Sequence, residues 1–208
     1  MTEPSVRPAR SADLESFATA LGDRAFFAER FERQRKGLGE LLLAWLGGRA
    51  AGAVYLWLEE AEELPILRHL PGVPLITHLE VHPELRNLGV GKALVGAAER
   101  RLFEKGRYRV ALAVRTDNHD AARLYDNLGY RDWGHGKVTC YARRTSPEGN
   151  LLLEAEECHV LVKELVSVTP APRSEPTSIR QPKAIRATGS PQESSRESSR
   201  NQQRRAPG

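Results

Sequence analysis

The chain has 208 residues, 40% of them hydrophobic and 28% charged, which is the usage of an ordinary globular domain and excludes a solenoid, a collagen-like fibre or a wholly disordered polymer. Two cysteines are too few for a disulfide framework or a four-thiolate zinc site, so stability has to come from a packed core. The formal charge of +4 is uneven: eight of the 31 basic and three of the 27 acidic residues fall in 167–208, leaving residues 1–166 with 23 basic against 24 acidic, too near neutral for a nucleic-acid reader built on a basic face.

The opening residues, Met1-Thr2-Glu3-Pro4-Ser5, show no basic region followed by an apolar one, and a cytoplasmic location is the expectation. Leu14, Phe17, Ala18 and Leu21 recur at helical spacing behind Ser11, a candidate cap, with Gly22 as a stop. A second helix is predicted from Asp23 to Arg35, presenting Phe26, Phe27 and Phe31. Residues 41–58 carry a single charge, Arg49, over a length that approaches a membrane span. Gly47-Gly48-Arg49 interrupts the run at its middle, and strand formers on both sides predict a hairpin covered on both faces, so no membrane association is expected. An acidic, Pro-punctuated connection, 59–65, leads to a strand over 75–81, which His82-Pro83-Glu84 ends.

Arg86-Asn87-Leu88-Gly89-Val90-Gly91-Lys92-Ala93-Leu94 then runs into a helix whose apolar positions, Val90, Leu94, Ala97, Ala98 and Leu102, fit one face. A strand, a loop with two glycines and a helix start make an anion site, because unpaired amides converge there and glycines let a diphosphate approach. A Walker loop would need glycine where Arg86 stands and Ser or Thr where Ala93 stands. A dinucleotide fingerprint beginning at Gly89 would need a small residue in place of Leu94. Both nucleotide readings fail.

With the strand, Arg86 and both glycines in order, this segment resembles the phosphate loop of the GNAT superfamily of acyl-CoA-dependent N-acyltransferases. Val81 and Pro83 also fit that pattern. A second motif follows in the family's order: strand 109–114, Asn118 opening a helix, and Ala121-Ala122-Arg123-Leu124-Tyr125-Asp126-Asn127-Leu128-Gly129-Tyr130. The likeness covers residues 5–165. It implies an α/β (α+β) fold with a mixed, mostly antiparallel sheet of six or seven strands and helices on both faces. The fourth and fifth strands would splay, with the pantetheine arm lying along the backbone of Leu79 and Val81 and the diphosphate on the amides of residues 86–91, that is Arg86, Asn87, Leu88, Gly89, Val90 and Gly91. Lys92 or Arg86 is a further candidate for a phosphate contact.

By the same likeness, the implied activity is acetyl transfer from acetyl-CoA to a primary amine of a small molecule or peptide, by direct attack in a ternary complex and without a metal. The alternative is an acyl-CoA-binding sensor that has lost catalysis. The Val81 amide would polarise the thioester carbonyl and Tyr125 would serve the departing sulfur. Glu80, beside the carbonyl-binding position, is the candidate base, directly or through water. Family bases commonly lie at positions held here by Leu75 or Thr77, which cannot take a proton, and a water chain or an acceptor that arrives already neutral are the alternatives. Plain alternation puts Glu80 on a face with His78 and His82, opposite Thr77 and Leu79, and a bulge would change that. His78 and His82 otherwise read as exposed strand residues. The acidic run Glu59, Glu60, Glu62, Glu63 is a candidate lure for a cationic amine. A homodimer is left open.

Strands over 137–143 and 157–165, joined by a turn at 146–150, are predicted to close the domain. Pairing symmetric about Gly149 would make Cys140 and Cys158 direct cross-strand neighbours, both as free thiols, with 148–156 an insertion that either closes over the acceptor or stands idle. The domain is taken as 1–166. Residues 167–208 hold six Pro, eight Ser, four Gln and no aromatic, which predicts a disordered tail whose one conceivable role is weak contact with nucleic acid.

Overall fold

The computed structural model describes residues 2–145 and 151–166; the predicted turn at 146–150 and the predicted tail lie outside them. In chain order the elements are β1 (Ser5–Pro8), a 3-10 turn (Ser11–Asp13), α1 (Leu14–Leu21), α2 (Arg24–Arg35), β2 (Gly39–Leu46), β3 (Arg49–Trp57), α3 (Leu64–His69), β4 (Leu75–Val81), a second 3-10 turn (Pro83–Leu85), α4 (Val90–Glu104), β5 (Arg109–Arg115), α5 (His119–Asn127), β6 (Arg131–Thr145) and β7 (Leu151–Glu164). They form a seven-stranded sheet ordered β1-β2-β3-β4-β5-β7-β6. All neighbours are antiparallel except β4 and β5.

The apolar run over 41–58 is a hairpin because Gly47 and Gly48, at φ 58 and 80, supply the two left-handed residues of a tight turn that matches strand twist. Alternation then distributes its side chains to both faces. Leu42, Ala44, Val54 and Leu56 meet Leu94, Ala98 and Leu102 of α4. Leu41, Leu43, Ala53 and Tyr55 meet Phe17 and Phe27 of α1 and α2. With both faces covered, neither strand shows a polar side, which is why the run looks like a membrane span. Among the described residues no helix is long and apolar enough to cross a membrane. Burying a side chain such as Phe17 or Phe27 contributes about 2–3 kcal/mol, and both are at most 1% exposed.

Three sequence expectations need correction. Asp13, not Ser11, organises the start of α1: its carboxylate accepts from the Arg10 amide at 2.7 Å and from two Arg7 nitrogens at 2.8 and 2.7 Å. Those Arg7 bonds hold the Asp13 carboxyl below the usual carboxylate range. The connection after β3 contains α3, with Pro65 in its first turn, where a missing amide costs nothing. The final hairpin is longer than predicted, since β7 begins at Leu151, so the supposed insertion is largely strand. Its register sets Val138 opposite Cys158 and Cys140 opposite Glu156. The two cysteines are therefore diagonal neighbours rather than a direct pair, and both are free thiols. The cause is the offset of the hairpin: every pair from Lys137 with His159 to Thr145 with Leu151 is centred one residue before Gly149. The irregularity between Asp132 and Lys137, where Gly134 and Gly136 sit at φ 81 and 82, lies beyond the cysteines and shifts only Arg131 and Asp132.

One buried charge fastens α4 to the sheet. Glu40 of β2 is 5% exposed and accepts from Arg101 Nε at 3.0 Å and Nη2 at 2.6 Å, with Lys105 Nζ 3.8 Å away.

Candidate active site

β4 and β5 pair only at Leu75 with Ala111 and Ile76 with Leu112. Beyond that point β5 continues to pair with β7 as far as Arg115, while β4 stays with β3, so a gap opens between two strands that started together. β4 also carries one extra residue against β3, because Ala53 faces Glu80 but Tyr55 faces Thr77. The bulge sits at His78, whose φ of 50 is left-handed. It resets the alternation: Thr77, His78 and Glu80 face one side of the sheet, and Ile76, Leu79 and Val81 face α4 on the other.

The backbone follows the same logic. The His82 amide donates to the Ala51 carbonyl at 2.9 Å, so in this register Glu80 also turns its backbone groups toward β3. Leu79 and Val81, out of phase with that pair, turn theirs toward the gap.

β4 ends where Pro83 removes a ladder donor. A 3-10 turn follows, then Asn87 and Gly89 at φ 62 and 82, and α4 begins when the Ala93 amide reaches the Gly89 carbonyl at 2.9 Å. The amides of Asn87 through Lys92 have no acceptor among the described residues, as a helix start dictates. Those of Asn87 and of Gly89 to Lys92 border a cavity of about 780 Å³, closed on its far side by Asn118, Ala121 and Leu124 around α5. A Cβ on Gly91 would lie 3.3 Å from Leu124 Cδ2 and 3.8 Å from Val81 Cγ2, so glycine keeps this floor open.

The predicted residues distribute as follows. Leu79, Glu80, Val81, Arg86, Asn87, Gly89, Val90, Gly91, Lys92 and Asn118 all line this cavity. Leu88 does not: it is 53% exposed and borders a separate groove with Thr2 and Leu46. The Asn118 side chain caps α5, accepting from the Ala121 amide at 3.2 Å. Tyr125 is absent from the lining. It is 6% exposed within the apolar layer against which Leu79 and Val81 pack, its ring edge-on to Tyr130 with centroids 5.6 Å apart. Burial pushes its phenol up to about 12, and its hydroxyl has no hydrogen-bond partner among the described residues.

On the other side of the gap lies a second cavity, about 800 Å³, bounded by α2, β4 and the β6/β7 hairpin. A smaller one of about 280 Å³ continues from it between Ile76 and Ala113, that is, between the separating strands. Glu80 borders both large cavities, and its Oε2 is 3.2 Å from His78 Nε2. The His78 ring stacks on Phe26 with centroids 3.6 Å apart and planes 25° from parallel. Arg30 lies over the Phe26, Tyr55 and Trp57 rings at 5.4, 5.0 and 5.3 Å. Of the acidic run, Glu59 is ion-paired with Arg33, Glu62 borders the cleft, and Glu63 sits beside Cys140, whose thiol burial pushes well up and keeps protonated. The Phe26–His78 stack escapes a sequence reading, because it joins a helix start to a strand bulge more than fifty residues apart.

A deep gap in a splayed sheet, edged by free strand amides and a helix start, is a site for an extended ligand with an anionic end. Residues 7–130 match the family described as Acetyltransferase (GNAT) family, and the chain belongs to it. The mycothiol acetyltransferase of Paenarthrobacter aurescens (strain TC1) is 38% identical over 63 residues, 30% of this chain and 20% of that protein, so the match spans one fifth of the relative. An N-acetyltransferase from Staphylococcus aureus Mu50 superposes with a TM-score of 0.57 at 12% identity, covering 79% of this chain and all of that one. The PaiA N-acetyltransferase of Thermoplasma acidophilum, solved in complex with coenzyme A, gives 0.55 at 14% identity over 78% of this chain and 99% of its own. These two structures are likenesses of fold.

Proposed function

We propose that the protein moves the acetyl group of acetyl-CoA to a primary amine by direct attack in a ternary complex. The observation that carries this reading is the continuity of the gap: the cavity at the start of α4 and the cleft beneath α2 meet at Glu80 on β4. A cofactor entering from one side and an amine entering from the other would meet there.

Acetyl-CoA supplies an activated thioester carbonyl. The amides of Asn87 to Gly91 would bind its diphosphate, that of Arg86 being already given to the Pro83 carbonyl, and Gly91 would give it room. The Leu79 and Val81 backbone pairs with the pantetheine arm, and the Val81 amide donates to the carbonyl oxygen as charge grows there. Tyr125, protonated at neutral pH because burial raises its phenol to about 12, donates to the departing sulfur. Its hydroxyl belongs to the apolar layer against which Leu79 and Val81 pack, so this role requires that layer to open. The ammonium proton leaves on the acceptor side of β4 toward Glu80, directly or through an intervening group.

Acceptors protonated in water fit the cleft's carboxylates, Glu29, Glu62, Glu80 and Glu156. The test is a panel of primary amines incubated with acetyl-CoA, with acetylated product read by mass. Acetylated amine is expected; acetyl-CoA binding with no product from any amine would leave the non-catalytic, sensor-like alternative in its place.

A further inference from the structure

β4 carries two titratable side chains on its acceptor face, and the bulge is why Thr77 stands beside them. Without the extra residue, His78 and Glu80 would face away from Thr77; with it, all three border one cleft. The left-handed backbone at His78, φ 50, is one that side chains adopt rarely and that persists where the surroundings over-determine it. Here they do so twice, through the Phe26 ring stacked at 3.6 Å and the Glu80 carboxylate at 3.2 Å. Phe26 is itself fixed at the start of α2, where its amide donates to the capping Asp23 at 2.9 Å.

The pair stands where three cavities meet. Glu80 borders the cofactor cavity and the acceptor cleft, and His78 borders the acceptor cleft and the narrow continuation between β4 and β5. Other charged groups face the same space: Glu29 and Arg30 of α2, Glu62 of the loop before α3, Arg115 of β5 and Glu156 of β7. Arg115 is bound to Asp117 at 2.8 Å and to Glu156 at 3.2 Å, and Arg30 lies 3.6 Å from Glu29. Among them His78 is the imidazole, and it sits on the splayed strand itself.

We propose that His78 is the catalytic base of the transfer, with Glu80 as the residue that positions it; this rests on the acetyl-transfer reading above. When the imidazole donates Nε2–H to Glu80, the lone pair falls on Nδ1, which has no partner among the described residues. Nδ1 takes one proton from the substrate ammonium, and the neutral amine then forms its bond to the thioester carbon. The carbon–sulfur bond breaks with its electron pair going to sulfur. The second nitrogen proton passes to the Tyr125 oxygen as that hydroxyl gives its own proton to the departing sulfur, so Tyr125 ends as it began, while the first proton is released from His78 to water. The Glu80 carboxylate holds the imidazolium until then.

The experiment compares wild type with His78→Gly, which removes the imidazole and favours the left-handed backbone. Probes are a panel of primary alkylamines, protonated in neutral solution, and an arylamine, already neutral. For alkylamines kcat is expected to fall about 10²–10⁴-fold, with acetyl-CoA affinity unchanged, arylamine turnover within about twofold and partial recovery on adding imidazole. Glu80→Gln should cost less alone and nothing further in the His78→Gly background. Alkylamine turnover unchanged in His78→Gly, or a fall that imidazole does not rescue, overturns the assignment while leaving acetyl transfer in place. A wild type that binds acetyl-CoA yet acetylates no amine overturns the parent reading and this one with it. His78→Asn, whose side chain also tolerates this backbone, serves if the glycine variant does not fold.

Discussion

Replacing Gly52 with alanine probes how the fold holds the reacting strand. A Cβ there would lie 2.6 Å from the Glu80 carbonyl oxygen, 3.1 Å from Leu94 Cδ1 and 3.2 Å from Val90 Cγ1. The first contact is roughly 1 Å inside an ordinary non-bonded distance, and it is to backbone, which cannot rotate away. Overpacking of this kind costs about 1–3 kcal/mol, which lowers Tm by about 2–12 °C for a domain of this size. The displaced element is β4 at Glu80, between the amides of Leu79 and Val81, and a misplacement near 1 Å costs about 10²-fold in rate. Thermal melts with and without acetyl-CoA, together with kcat on whichever amine the wild type acetylates, measure both effects. A Gly52→Ala protein that melts within about 1 °C of wild type and turns over normally would refute the packing of β3 beneath β4 and the start of α4.

The counterpart at Gly91 should separate binding from folding. Its added methyl meets only the flexible end of Leu124 at 3.3 Å and Val81 at 3.8 Å, so Gly91→Ala should melt close to wild type while acetyl-CoA affinity, read by calorimetry, falls about tenfold or more. Tyr125→Phe should lower kcat by roughly 10²-fold with little change in acetyl-CoA affinity; unchanged turnover removes the hydroxyl from the reaction. Because burial raises the Tyr125 phenol from 10.0 to about 12, its contribution to stability is complete below pH 10 and lost between there and about 12. Alkaline denaturation should therefore be less steep in Tyr125→Phe over that window. Arg101→Leu strips the main partner from the 5% exposed Glu40 and should cost about 3 kcal/mol in chemical denaturation; a loss below about 0.5 kcal/mol would mean that Lys105 alone suffices.

Much of this site was legible because its signals are local. The bounds of β4, the glycines after it, the buried stripe Val90, Leu94, Ala97, Ala98 and Leu102, and the Asn118 cap each depend on neighbouring residues, and each stands where predicted. What escaped depends on tertiary context. Pro65 read as punctuation, yet in the first turn of α3 it is compatible with helix. Cys140 and Cys158 miss direct pairing because β6 and β7 pair about a point one residue before Gly149, and a one-residue change of register depends on how the two strands pack rather than on where turn-forming residues cluster. The face of Glu80 could not be decided by alternation, since one left-handed residue at His78 resets it. Tyr125 matched a motif by spacing, but its burial beneath Leu79 and Val81 reflects packing that spacing does not encode.

The central claim is that acetyl-CoA lies in the β4/β5 gap with its diphosphate on the start of α4. An acetyl-CoA titration followed by amide resonances of the isotope-labelled full chain tests it most directly. The account predicts large shifts at Val81, Gly89 and Gly91, with Leu79 moving in step. Saturable binding that leaves those amides unmoved, or shifts confined to the far face around α1, would contradict it.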